Sequence, residues 1–340
     1  MLIRTSAPQW LFDRSLNHRF EFFAGEPDTG VIQQHSLGVD PPASIERAWA
    51  FHRTLASRAD TEARLLEQHG VTLVVADITP LAFAAAQRAG LPAVGISNFT
   101  WDWIYAHYRS SVPMPPQLLP TIEDAYATAE LAWRLPMAGG FTTFPNVRDA
   151  PFVARRASHR PEDTRQALGL PTTEPLVLLS FGRYGLGAID WTPVTQQNHF
   201  HVVVTRDPVD AGPAGLHASP VATIHQVDVP TLVDHGFQYE DLVAAVDVVL
   251  TKPGYGIISE CVANDTALIY TSRGDFAEYP VLVDAMPSLL RCTYMSHDDL
   301  FAGRWSTQVC NVLDQPGAPL VPTDGALVVA RWLLTRLDIS

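Results

Sequence analysis

Lysine is all but absent from this sequence: Lys252 is the only one, and every other permanently basic side chain is arginine. Lysine and arginine together number 23 against 36 acidic residues, giving a formal charge of −13. No basic stripe remains to release counterions from a phosphate backbone, so no nucleic-acid partner is expected. A small anionic ligand is not excluded, because it responds to local groups. Cysteine is scarce as well: Cys261, Cys292 and Cys310 lie far apart, with no C-x-x-C and no paired His–Cys spacing. Such thiols suit a reduced, cytoplasmic protein rather than a disulfide framework. The histidines lack zinc-site spacing and no Asp-x-Asp signature stands out, so no metal is expected. No run approaches the ~18 apolar residues of a membrane helix. The first residues carry Arg4, Asp13 and Arg14 and form no signal peptide.

What is present is enough core for two domains of ordinary size: 340 residues, 47% hydrophobic and 17% charged. β-Branched apolar runs at 71–76, 91–97, 176–181, 201–205, 246–250 and 267–270 read as strands buried on both faces. Shorter strands are expected at 1–6, 30–35, 222–225 and 292–295. Helical stretches fall at 44–69 (with Ser44 as N-cap and Gly70 as the stop), 80–89, 121–135, 257–263 and 324–337. This alternation predicts an α/β fold with ligand loops at the carboxyl ends of the strands. Asp77 and Asn98 stand at two such ends. Asp77 reads either as a catalytic carboxylate or as a helix cap or turn residue. Phe99 to Tyr105 crowds aromatics, Trp101 among them, that serve either as a sugar-stacking platform or as packing.

The stretch that organises the second half runs from Tyr239 to Pro280. A buried strand ends in Lys252-Pro253-Gly254-Tyr255-Gly256, and a helix follows with Glu260 one turn in. A strand, glycine loop and helix in that order present free N–H groups and a positive dipole end, a ready phosphate site. A second glycine loop, Gly182-Arg183-Tyr184-Gly185-Leu186-Gly187, follows the run at 176–181. Two such loops in one domain are harder to dismiss than one, and Lys252 or Arg183 could each add a cation.

The residues DLVAAVDVVLTKPGYGIISE and the later RGDFAEYP resemble the donor-nucleotide half of GT-B glycosyltransferases with the family 28 C-terminal domain. They resemble still more the glycosyltransferase-like region that precedes the kinase in plant L-arabinokinase. The resemblance implies two Rossmann-like doubly wound domains: residues 1–170 on the acceptor side, 171–322 binding a nucleotide sugar, and 323–340 as a helix crossing back. It implies Glu260 on the donor ribose, and Arg273, Asp275 and Glu278 on the donor sugar. Gly182, Arg183, Gly185, Lys252, Gly254, Tyr255 and Gly256 would meet the diphosphate, and Phe237 the base. Asn98 and Trp101 would lie on the acceptor side, with Asp77 as the base. The function implied is metal-independent sugar transfer from a nucleotide-diphosphate sugar to a small-molecule or glycan acceptor, with no other cofactor. A nucleotide-sugar epimerase or hydrolase, or a non-catalytic nucleotide-sugar binder, remains open on the same fold. MLIRTSAPQWLF matches the second strand of such a first domain, so the family's first βα unit, ~30 residues, is expected upstream of Met1.

Overall fold

In the computed structural model, which describes residues 1–16, 18–35, 37–181, 186, 189–206 and 223–337, two N-terminal strands pair in parallel. They are β1 (Leu2–Thr5) and β2 (Glu21–Ala24). The strand expected over 30–35 shortens to β3 (Gln33–His35), which forms an antiparallel hairpin with β4 (Gly38–Val39). Pro41-Pro42 then opens a helix, Pro41–His52, capped by Asp40 and not by Ser44: the Asp40 carboxylate accepts from the Ala43 N–H at 3.0 Å. The single helix expected to His69 is two helices. The second, Leu55–Gln68, stops at Gly70 with φ +60.

Four parallel strands follow in sheet order β5 (Val74–Ala76), β6 (Ala93–Phe99), β7 (Leu131–Gly139) and β8 (Val147–Asp149). β7 corrects the helix expected over 121–135, which ends at Tyr126. In LAWRLPMAG the alternate residues Leu131, Trp133, Leu135 and Met137 are all buried, so the period of two governs. β1–β2 and β5–β8 are separate sheets, and Val75 on the edge strand β5 is exposed.

The remaining six strands are β9 (Leu176–Ser180), β10 (His201–Arg206), β11 (Ile224–Asp228), β12 (Val248–Thr251), β13 (Ala267–Tyr270) and β14 (Cys292–Tyr294). They make one parallel sheet in the order β11-β10-β9-β12-β13-β14. Counted within the sheet this is 3-2-1-4-5-6, the doubly wound order whose reversal, here between β9 and β12, opens a ligand crevice at the carboxyl ends. Val177, Leu178, Val248, Val249, Leu250, Leu268 and Ile269 are fully buried. Each such side chain contributes ~1.5–3 kcal/mol relative to exposure.

The chain divides into two compact units: Met1–Ile32 with Asp40–Ala150 and the chain from Leu327 on, and Gln33–Val39 with Pro151–Ala326. The division falls at Ala150, twenty residues before the one expected at 170. The reason is Arg165, on the helix Pro161–Ala167, which donates to the Ala245 carbonyl at 2.6 Å and to Asp247 at 2.8 Å. In the first unit, Trp332 of the helix Gly325–Arg336 sets an edge on Trp133, and Arg336 bonds Glu130 at 2.8 Å. Among the described residues no helix is long and apolar enough to cross a membrane.

Candidate functional site

At the carboxyl end of β12 the Thr251 hydroxyl ties back to the Ser180 carbonyl of β9, fixing the two strands on either side of the reversal. The next residue, Lys252, is half-buried, and its ammonium donates to Gln33 Oε1 at 3.1 Å. Among the described residues no carboxylate pairs with it. Burial first, and the charge of Arg273 second, bring this lysine down to about 8.

The helix Tyr255–Asn264 opens immediately after Gly254, and no side chain caps it. Gly256 lies in its first turn, not in the loop ahead of it. Among the described residues a Cβ on Gly256 would meet nothing within 4 Å, and one on Gly254 would come no nearer than 4.0 Å to Arg273 Nη1. The start of this helix, with no side-chain cap, therefore has room around its glycines among the described residues and Arg273 beside it. Tyr255 turns away from this space, its ring 5.9 Å from that of Phe152 in a stacked contact.

Arg273 follows β13. Its guanidinium lies on the Phe276 ring at 3.8 Å, donates to the Pro253 carbonyl at 3.2 Å and stands 3.9 Å from the buried Glu278 carboxylate. Lys252, Gly254, Arg273 and Glu278 are thus brought together, while Asp275 is exposed on the same loop. Glu260 sits one turn further along the helix. Its carboxylate accepts no hydrogen bond among the described residues. Burial pushes it up to about 7, with Arg155 pulling it down and Glu240 pushing it up. An unpartnered, half-buried carboxylate is ready for hydroxyl donors. Phe237 is buried with its edge against His159, 4.6 Å between centroids. Gly182, Arg183 and Gly185 lie outside the described residues.

The first unit holds a second constellation at its own strand ends. Asp77 directly follows β5 and is not a helix cap, a position that Thr79 holds for the helix Pro80–Arg88. Its side chain keeps solvent access within a crowded surround. This desolvation raises its carboxyl above the ordinary range, and the Ser97 hydroxyl partly offsets it. Ile78 comes next with φ +53, a left-handed conformation that a β-branched residue adopts only under constraint. The constraint is Tyr126, fully buried, whose hydroxyl donates to the Ile78 carbonyl at 2.7 Å and accepts from the Trp101 N–H at 3.2 Å. Tyr126→Phe leaves both groups buried and unpaired. A cost of about 1–3 kcal/mol is expected, read as a lower urea midpoint at unchanged slope.

Asp28, which drew no notice in the sequence, belongs to the same constellation. Its carboxylate accepts from Trp101 Nε1 at 3.1 Å. Its loop is held by Thr79, bonded to the Pro27 carbonyl at 2.6 Å, and by Tyr105, bonded to the Gly30 carbonyl at 3.1 Å. Burial pushes Asp28 up to about 6. The Trp101 bond opposes this, and the charges of Asp77 and Glu26 add to it. Trp101 stacks on Tyr105 at 5.5 Å and remains partly exposed, whereas Tyr105 is wholly buried. Asn98 is buried in β6. Among the described residues no group of three or more His, Cys, Asp or Glu is placed to hold a metal ion.

No family model matches the sequence. The chain is 27% identical over 311 residues to the L-arabinokinase of Arabidopsis thaliana, a match covering 89% of this chain and 28% of that protein. The chain therefore spans little more than a quarter of that relative. Among solved structures it is similar to the glycosyltransferase SnogD from Streptomyces nogalater, at 17% identity and a TM-score of 0.55, covering 97% of this chain and 93% of that one. It is similar to the calicheamicin glycosyltransferase CalG4, at 15% identity and a TM-score of 0.55 over 92% and 82% of the two chains. A UDP-glucose:anthocyanidin 3-O-glucosyltransferase, solved in complex with UDP, matches at 12% identity and a TM-score of 0.56 over 97% and 84%. The chain has the GT-B fold of these glycosyltransferases, with Rossmann-like α/β units, and is related in sequence to L-arabinokinase.

Proposed function

We propose that this protein transfers a sugar from a nucleotide-diphosphate donor to the hydroxyl of a small-molecule or glycan acceptor. One observation carries the reading: Lys252 and the uncapped helix Tyr255–Asn264 meet at the carboxyl end of β12, beside the strand reversal, with Arg273 alongside. Negative charge grows on the departing phosphate as the glycosidic bond breaks. Fixed N–H dipoles and a desolvated ammonium stabilise that charge more than the ground state, which is what acceleration requires. Glu260 takes the ribose hydroxyls, and the Arg273–Glu278 pair borders the sugar. These groups supply the neutralising charge themselves, so turnover is expected to persist in EDTA. The first unit supplies the proton acceptor for the hydroxyl, Asp28 with Asp77 beside it, and the partly exposed Trp101 face is suited to stacking a sugar or aglycone. The likenesses to UDP-using glycosyltransferases support the reaction class.

The discriminating variant is Lys252→Met. Calorimetry should show a nucleoside diphosphate losing about tenfold in affinity, the scale of one charge-assisted contact, with the parent nucleoside unaffected. Equal loss for both ligands would make Lys252 structural. A second reading, a nucleotide-sugar binder without turnover, is favoured by the relation to a fraction of L-arabinokinase. Incubation with radiolabelled donors separates the two: transferred or freed sugar marks an enzyme, retention without product a binder.

A further inference from the structure

The second unit is built from two separated stretches of chain, and the shorter one, Gln33–Val39, touches the proposed donor site at both ends. Gln33 at its start accepts the hydrogen bond of the Lys252 ammonium at 3.1 Å. Leu37 near its turn is 7% exposed and joins the core that contains Leu179, Phe181, Leu186 and Leu250. The Leu37 carbonyl lies over the loop that carries Arg273: a Cβ on Gly274, whose φ is +74, would stand 3.0 Å from it. The hairpin β3–β4 therefore reaches from the end of β12 to the loop after β13, across the carboxyl ends where a doubly wound sheet takes its ligand.

We propose that this hairpin is a wall of the diphosphate site and that Gln33 is a positioning residue, holding the Lys252 ammonium toward the ligand with a neutral amide. The proposal rests on the donor-site reading above. The residue type matters. A carboxylate at this position would satisfy the lysine internally and cancel the charge that attracts phosphate. A side chain with no acceptor would leave a half-buried ammonium without its hydrogen bond. An amide does neither: it fixes the ammonium and leaves its charge uncompensated. Arg273 is the other charged group acting on Lys252, and it is the partner of Glu278.

Because Lys252 is the only lysine, protein labelled with 13Cε-lysine gives a single resonance that reports its protonation. The expected result is a titration displaced upward by about a unit or more in Gln33→Glu, as an opposite charge in contact requires, and downward in Gln33→Ala. Inorganic pyrophosphate should shift the resonance in the wild-type protein, and Gln33→Glu should weaken that binding about tenfold. Identical titration in all three proteins overturns the proposal even where pyrophosphate binds normally, in which case the donor-site reading stands. Undiminished pyrophosphate affinity in Gln33→Glu also overturns it, reducing Gln33 to a structural contact. A wild-type resonance indifferent to both pyrophosphate and uridine diphosphate removes the donor site itself, and the hairpin's role with it.

Discussion

Asp28→Asn is expected to slow sugar transfer by about 10²–10⁴-fold, the range that loss of a general base typically costs, while donor affinity stays unchanged. Asparagine keeps the shape and can still accept from Trp101 Nε1, so the loop should remain in place and the loss should appear in turnover alone. The pH profile tests the assignment independently. A carboxyl at about 6 is protonated and idle below that pH. Turnover should therefore rise as pH passes upward through about 6, and the variant should lack this limb. Asp77→Asn separates the two carboxylates. Removing its charge relieves the repulsion on Asp28, so the limb should move to lower pH with a smaller loss of rate. The measurement is release of nucleoside diphosphate from a donor found in a nucleotide-sugar panel. If Asp77→Asn suffers the full loss and Asp28→Asn little, the base is Asp77. If neither variant slows, the first unit contributes no acid–base group.

The second unit was largely legible in the sequence because its strands are buried on both faces. Such strands appear as unbroken β-branched runs, each closed by glycine, proline or a polar residue. The first unit was read less well, for identifiable reasons. AYATAELAWRL has helical composition, and only the burial of Trp133, Leu135 and Met137 on one face makes the later part a strand. β2 is four residues, EFFA, within an aromatic loop, too short for its period to register. Asp28 sits in PDTG, which reads as a turn and nothing more. Its raised carboxyl comes first from burial, and the groups that modulate it, Asp77 upward and Trp101 downward, lie 49 and 73 residues away in the sequence. Gln33 is 219 residues from Lys252, so no local pattern could pair them. The positive φ of Ile78 has no signature either, since isoleucine is the residue type least suggestive of it. Local chemistry therefore points to the elements proposed to bind phosphate, while the groups proposed to position and deprotonate are products of tertiary crowding.

Glu260→Ala is expected to weaken nucleotide binding ten- to a hundredfold, as loss of charge-assisted hydrogen bonds worth ~1.5–3 kcal/mol requires. The Glu260 carboxylate accepts no hydrogen bond among the described residues and burial disfavours its charge, so the variant should stay folded, and a thermal melt checks this. The pH dependence carries the stronger argument. In the free protein the Glu260 carboxyl is held at about 7 by burial. Ribose hydroxyls donate best to the ionised form, so nucleoside affinity should climb as pH rises toward about 7 and flatten above it. Lys252, at about 8, titrates in the opposite sense: above that pH its ammonium is lost and with it the attraction for phosphate. A nucleoside diphosphate, which uses both groups, should bind with a bell-shaped pH dependence between the two values. The parent nucleoside should show only the rising limb. Glu260→Ala should abolish the rising limb for both ligands, and Lys252→Met should abolish the falling limb for the diphosphate alone. Calorimetry from pH 5.5 to 9 in buffers of matched ionisation enthalpy reads all of these. A bell that survives in Glu260→Ala would place the ribose elsewhere, on Glu240, whose charge acts on Glu260, or on Glu278, 3.9 Å from Arg273.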